Sequence, residues 1–271
     1  MHVLVAYRKG KLSEALCEDF LVVTPDFCAV VDGATDKTGV RIGGETGGRI
    51  VARSVASAIC ALPADVDHLS WVRLVTLAVR DAVLECGWPM ETPIPCACAV
   101  TYSRVRREIW RVGDCGYRVA GVTYPGGKDV DDLTGRTRAG VITKSLENGA
   151  TVTELLENDP GRRAIMDILE GQHVHANNPG SALGFPVFNG RDIPMEMLEQ
   201  PLPVPPESLV VLCSDGFDFP LDTLEATLAA QERSYRTDPL RIGLDGARPS
   251  TKGLKRGMER HDDQTYLALV S

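Results

Sequence analysis

From residue 20 onward apolar residues gather into short runs separated by polar turn residues. Phe20-Leu21-Val22-Val23-Thr24 and Phe27-Cys28-Ala29-Val30-Val31 are β-rich runs split by Pro25-Asp26, which predicts a hairpin whose turn Pro and Asp supply. The period then becomes helical. Over 45–62, Ile50, Val51, Val55, Ala58, Ile59 and Leu62 fall on one face. A second helix is predicted over 69–86, with Ser70 as its cap. Its apolar positions (Trp71, Val72, Leu74, Val75, Leu77, Val79, Val83, Leu84) nearly encircle it, so it should lie between a sheet and a neighbour. Strand patterns return at 96–103, 108–112 and 115–119, with Asp114 in the tight Gly113-Asp114 turn. Residues 121–180 are polar, with helices predicted near 146–157 and 161–170. Asn177-Asn178-Pro179-Gly180 breaks the chain, and the Pro-rich 200–206 is an extended connector. A buried strand over 208–214, a helix over 221–233, a loop rich in Gly and Arg, and a strand over 264–270 complete the pattern.

Strands cluster and helices come in pairs, with no regular β-α-β alternation. That favours sheets packed on each other with helices outside over a parallel doubly wound sheet. One domain over 1–271 is expected.

Composition narrows the function classes. The 271 residues are 44% hydrophobic, enough for a substantial core. No run of 18 apolar residues occurs, so no membrane span is expected. The start, Met1-His2-Val3-Leu4-Val5-Ala6-Tyr7-Arg8, has too short an apolar run for a secretory leader, and its charge follows the run. A net charge of −8 argues against broad nucleic-acid binding. The eight cysteines are scattered with no CxxC, several of them inside apolar runs, which fits reduced core thiols. A cytoplasmic protein is expected.

The chemistry-bearing residues share one local grammar, an acid at the end or start of a β-rich run. They are Val30-Val31-Asp32-Gly33, Leu212-Cys213-Ser214-Asp215-Gly216, Asp262-Asp263-Gln264-Thr265 and Glu18-Asp19 before Phe20. Carboxylates at strand ends are held rigidly, and several together suit a hard divalent cation. A Gly after the Asp keeps the backbone free of a side-chain clash. A single Asp-Gly is usually a plain turn; it is the repetition that points to a metal site.

With Val112-Gly113-Asp114-Cys115 and Ser181-Ala182-Leu183-Gly184 added, six such pieces run in order from near residue 18 to near residue 270. In that order they resemble the metal-dependent type 2C serine/threonine protein phosphatase family, in its bacterial form. The resemblance implies an α+β fold, a central β-sandwich of two antiparallel sheets flanked by helix pairs in α-β-β-α layers, with 121–180 as a variable flap-like region. It implies two Mn²⁺ or Mg²⁺ ions. Asp32 would bridge them and the Gly33 carbonyl would bind one; Asp215 and Asp262 would bind the other. Asp19 would join the set and Glu18 would act through water, while Asp114 would line a third position. The implied activity is phosphomonoester hydrolysis by a two-metal-activated hydroxide, with Asp32, Asp215 and Asp262 as catalytic residues. The implied substrate is phosphoserine or phosphothreonine on protein. A small phosphorylated metabolite and an inactive binding module are the alternatives.

Three departures stand out. Ala34 occupies the place of a His found in animal members, so a water would serve as acid. Glu14 replaces an Arg that often binds phosphate, so another cation must serve: Arg8, Arg41, Lys9, Lys11 or a residue of the basic stretch 241–260, which includes Arg256. Phe219 stands where a third-metal Asp is often found, with Asp218 one residue early. The Gly43-Gly44-Glu45-Thr46-Gly47-Gly48 run lacks the Lys-Ser/Thr end of a nucleotide loop and is read as a helix entry beside the metal site. His173 and His175 are read as exposed, and His261 as a proton-transfer candidate.

Overall fold

The Pro25-Asp26 turn closes the expected hairpin. The Thr24 amide donates to the Phe27 carbonyl across it at 2.9 Å, and the Thr24 hydroxyl accepts from the Phe27 amide at 2.9 Å. The computed structural model describes residues 1–35, 37–255 and 257–271; Arg256, one of the cations considered above, lies outside them.

In chain order the elements are β1 (His2–Lys9), β2 (Phe20–Val23), β3 (Phe27–Gly33), β4 (Arg41–Ile42), β5 (Glu45–Thr46), α1 (Gly47–Cys60), α2 (His68–Glu85), β6 (Ala97–Ser103), β7 (Glu108–Val112), β8 (Gly116–Val119), β9 (Val122–Tyr124), α3 (Asp129–Glu147), α4 (Val152–Glu157), α5 (Pro160–Ala164), α6 (Met166–Gly171), β10 (Leu202–Pro203), β11 (Leu209–Cys213), α7 (Leu224–Thr237) and β12 (Gln264–Val270).

Among the described residues the strands build two five-stranded antiparallel sheets, ordered β1-β12-β11-β8-β9 and β10-β7-β6-β3-β2, and the small β4-β5 hairpin. Val30, Val100, Leu212, Leu267 and Leu269 fill the space between the two sheets. Outside the second sheet, α1 packs on β2, β3 and β6, and α2 packs on α1. Trp71 of α2 is fully buried between Trp110 and Phe188, with ring centroids 5.7 and 5.4 Å apart. Leu224 and Leu228 of α7 cover the outer face of the first sheet over Val211, Tyr266 and Ala268. The result is an α+β sandwich with helices on its outer faces.

Several details differ from the sequence reading. Residues 2–9, read only for targeting, form edge strand β1 against β12. Helix α2 buries a single face, with Leu69, Leu74, Leu77 and Leu84 exposed, so it is an outer helix and not a sandwiched one. Its cap is Asp67, whose carboxylate accepts from the Ser70 amide at 2.7 Å. Strand β10 falls inside the proline-rich connector. Pro203 is tolerated there because β10 is a sheet edge. Helix α3, in a region read as polar, is pinned by fully buried Arg138, which donates to the Asp159 carboxylate at 2.8 Å and to the carbonyls of Leu240 and Ser250. His173 and His175 share a 3-10 turn; His173 is exposed as read, but His175 is half-buried with its Nδ1 2.7 Å from the Ser181 hydroxyl. All eight cysteines are free thiols, and among the described residues no helix is long and apolar enough to cross a membrane.

Candidate metal centre

Both sheets deliver acids to one end of the sandwich. Asp32 is the next-to-last residue of β3, and Glu18-Asp19 leads into its partner β2. Asp215 follows β11 by two residues, and Asp262 precedes the adjacent β12 by two. The ends of β11 and β12 are tied by Ser214, whose amide donates to the Thr265 carbonyl at 3.1 Å and whose hydroxyl accepts from the Thr265 amide at 3.0 Å.

Asp263 is the tie between the sheets; the sequence placed it in the last acidic pair but gave it no role of its own. Its two oxygens accept from the backbone amides of Lys11 at 2.7 Å and Glu18 at 2.9 Å, fastening the first acidic pair to the last. Two glycines allow close backbone packing at the end of each sheet. A Cβ on Gly33 would lie 2.6 Å from the Gly48 carbonyl oxygen and 2.8 Å from that of Glu18; one on Gly216 would lie 1.9 Å from that of Asp263. The Gly-rich run forms the β4-β5 turn and the start of α1. Thr46 caps that helix, accepting from the Arg49 amide while donating to Glu18 at 2.6 Å.

The acids divide into two groups by counter-charge. Asp19, Asp32 and Asp215 form no ion pair among the described residues. Burial, then the charges of Asp19, Asp215, Asp114 and Asp262, push Asp32 well above the ordinary carboxylate range. Asp19 is pushed up to about 8 by burial and by Asp263. Asp215 is pushed up to about 7 by burial, Asp114 and Asp262. Asp19 accepts from the Thr265 hydroxyl at 2.7 Å through one oxygen, while its buried Oδ1 has no hydrogen-bond partner.

The second group is already compensated. Lys11 Nζ lies 3.0 Å from Asp262, 3.4 Å from Glu18 and 3.6 Å from Asp263, and Lys252 Nζ lies 2.7 Å from Asp262. Against the burial penalty, Lys252 and Lys11 hold Asp262 well below its ordinary value. Lys128, at 2.8 Å, outweighs burial and holds Asp114 below its ordinary value. Arg241 clamps Asp218 through two nitrogens, at 2.7 and 2.5 Å.

Among the described residues no three His, Cys, Asp or Glu side chains are arranged to hold a metal ion. The donor chemistry of the first group nevertheless fits one. Asp32 and Asp215 open to the cavity beside buried Asp19 with its orphaned oxygen, and such a gathering of carboxylates is the demand a hard divalent cation meets. At Asp262 and Glu18 ammonium groups stand in the place of a cation.

Above the acids opens a cavity of about 710 Å³. Asp32, Gly33, Asp114, Asp215 and Asp262 line it, together with Lys11, Lys37, Lys128, Arg162 and Lys252. Residues from 123 to 172 and from 241 to 262 form much of its wall. Arg8 and Arg41 are not in the lining: Arg8 donates to the Asp19 carbonyl at 3.0 Å and faces Glu14, and Arg41 is exposed on β4. The basic stretch contributes Lys252, which could be anticipated because it runs into Asp262; Lys128 and Arg162 carried no local signal. His261 lines the cavity, but burial and then Arg241 push it down to about 3, and its Nδ1 sits 2.8 Å from the Tyr235 hydroxyl.

No family model matches the chain, and no curated protein matches it. Among solved structures it is similar to the serine/threonine phosphatase PstP/Ppp of Mycobacterium tuberculosis, at 18% identity and a TM-score of 0.48 over 99% of this chain and 98% of that one. It is similar to PppA, described as a regulatory component of the type VI secretion system in Pseudomonas aeruginosa, at 14% identity and a TM-score of 0.49 over 100% and 99%. RsbX, solved with magnesium, matches at 12% identity and a TM-score of 0.45 over 98% and 94%. The acidic cluster of this chain, and not these likenesses, carries the functional reading.

Proposed function

We propose that the protein is a metal-dependent phosphomonoester hydrolase acting on phosphoserine or phosphothreonine in proteins. The supporting observation is the set Asp19, Asp32 and Asp215: Asp32 and Asp215 line a cavity rich in cations, Asp19 is buried close enough to raise the proton affinity of Asp32, and none of the three is ion-paired among the described residues. Clustered carboxylates without counter-charge cost stability, and a cation relieves the cost. Asp32, Asp215 and Asp19, with Asp262, Glu18, Asp114 and the Gly33 carbonyl around them, would hold Mn²⁺ or Mg²⁺. When bound, such ions supply Lewis-acid neutralisation of phosphoryl oxygens and a water acidified toward neutral pH.

The chain's own residues do the rest. Asp263 and Gly216 keep the two sheets' acids in register, Lys11 and Lys252 counter the charge at Asp262, and the cavity positions the ester. Residues 121–180 act as a flap within one domain. The eight free thiols suit a reducing compartment, and we place the protein in the cytoplasm.

A small phosphorylated metabolite is the second reading. The cavity's volume of about 710 Å³, walled by α4, α5 and α6, lies within the ~300–1,000 Å³ of small-molecule sites.

The test is turnover of a chromogenic phosphomonoester by the full chain with Mn²⁺, with Mg²⁺ and after exhaustive chelation, beside Asp32→Asn. Activity should need added metal and vanish in Asp32→Asn, which should also lose much of the metal-induced rise in Tm. Full activity after chelation, or wild-type turnover by Asp32→Asn, overturns the reading. Comparison of phosphopeptides with small phosphate esters separates the two substrate classes.

A further inference from the structure

The cavity's cations are of two kinds. Lys11 and Lys252 pair with Asp262, Lys128 with Asp114, Arg241 with Asp218 and Arg248 with Asp132. Lys37 and Arg162 line the same cavity and are half-buried, yet among the described residues neither forms an ion pair with a carboxylate. Each head group is oriented by a neutral carbonyl instead. Lys37 Nζ donates to the Thr35 carbonyl at 2.8 Å, and Arg162 donates to the Thr251 carbonyl at 2.9 Å. Neutral carbonyls fix direction without consuming charge.

The two arrive from separate parts of the chain. Lys37 follows Asp32 by five residues, on the loop leaving β3. Arg162 sits in α5, which Asp159 caps and which Arg138 fastens to the 240–250 loop. Burial, and then the charges of Arg162 and Lys252, outweigh the opposing charge of Asp262 and push the Lys37 ammonium down to about 8. Gathering like charges in a half-buried space is unfavourable unless an anion joins them.

We infer that Lys37 and Arg162 form the seat for the phosphoryl dianion of the substrate, in place of the arginine that Glu14 replaces. This rests on the phosphatase reading above. A guanidinium offers a fork of N–H donors to phosphate and an ammonium adds a point charge, so the pair suits a phosphate monoester presented to the acids below.

The test is binding of inorganic phosphate to the full chain by calorimetry, with and without Mn²⁺, together with KM and kcat on a phosphomonoester. Lys37→Gln and Arg162→Gln should each weaken phosphate binding and raise KM by about tenfold, the size of one lost charge-assisted hydrogen bond. Lys37→Arg and Arg162→Lys should lose less. Arg248→Gln, already paired with Asp132, should stay within about twofold, as for an exposed pair. Wild type that binds no phosphate, or Gln variants that bind it as wild type does, would overturn the seat. A chain that binds phosphate through these residues but cleaves no ester keeps the seat and loses the hydrolase reading. One that cleaves esters with unchanged KM in both Gln variants keeps the hydrolase and loses the seat.

Discussion

Lys11 Nζ lies 3.0 Å from Asp262 Oδ1, so a lysine from the end of the first strand neutralises an acid at the start of the last. The same ammonium reaches Glu18 at 3.4 Å and the Thr35 hydroxyl at 2.9 Å. It serves as a built-in counter-ion, and under the proposed function a divalent cation would have to compete with it for Asp262 and Glu18.

Lys11→Met therefore separates two roles. Without the ammonium, Asp262, Asp263 and Glu18 face one another less compensated, so the metal-free protein should lose about 1–3 kcal/mol, as when buried charged groups lose a partner. The vacated acids should in turn bind Mn²⁺ more tightly, and the Tm rise on adding metal should exceed that of wild type. Thermal melts at several Mn²⁺ concentrations check this. An equal or smaller metal-induced rise would mean that Lys11 does not compete with metal.

The unpaired acids give the metal-free protein a pH signature. Asp19 and Asp215 have folded values of about 8 and about 7, above the ordinary carboxylate value of ~4. The folded state then binds more protons than the unfolded chain, so stability falls as pH rises through those values. His261 works in the opposite sense lower down. Its folded value of about 3 lies below the ordinary 6.5, so its contribution rises with pH and is complete near 6.5. The clean window is thus pH 6.5 to 8, where the chelated protein should lose stability. Saturating Mg²⁺ should flatten the slope, because the bound cation favours the charged carboxylates in both conditions. A metal-free Tm that is constant or rises across that window would contradict the raised proton affinity of these acids as unpaired groups.

What could be read from the sequence is what local chemistry encodes. Strands β3, β6, β7, β11 and β12 are apolar and β-rich, and the acids at their ends sit beside turn residues, so both the sandwich and the four acidic positions were visible. Strand β1 was not, because its alternation is weak and its core-facing side is only half-buried at the sheet edge. Helix α3 was not, because its inward face includes Thr134 and Arg138, polar residues whose reason for burial lies about a hundred positions away in the 240–250 loop. The lysines over the acids are likewise long-range. Lys11 meets Asp262 across 251 positions, and no spacing rule can anticipate that. The Asp-Gly pairs were visible, but the sequence could not show which backbone each glycine has to meet.

That backbone contact supplies the last test. In Asp215-Gly216 the glycine presses on the Asp263 carbonyl, and an added Cβ would lie 1.9 Å from its oxygen and 3.0 Å from its carbon. Neither atom belongs to a flexible side chain, so one of the two acidic turns must move. Overpacking of this kind costs about 1–3 kcal/mol, sometimes more. The displaced turn carries Asp262 and Asp263, and Asp263 in turn fastens Lys11 and Glu18. Gly216→Ala should therefore lower Tm and also shrink the metal-induced rise, because the acids of the two sheets no longer meet. Gly140→Ala is the contrast. It lies exposed within α3 with open space around its Cβ, where alanine should stabilise by up to about 1 kcal/mol through helix propensity alone. Its metal response should match wild type. Melts of both variants with and without Mn²⁺ decide the matter: a Gly216→Ala protein with wild-type stability and a wild-type metal shift would show that the two turns do not depend on that contact.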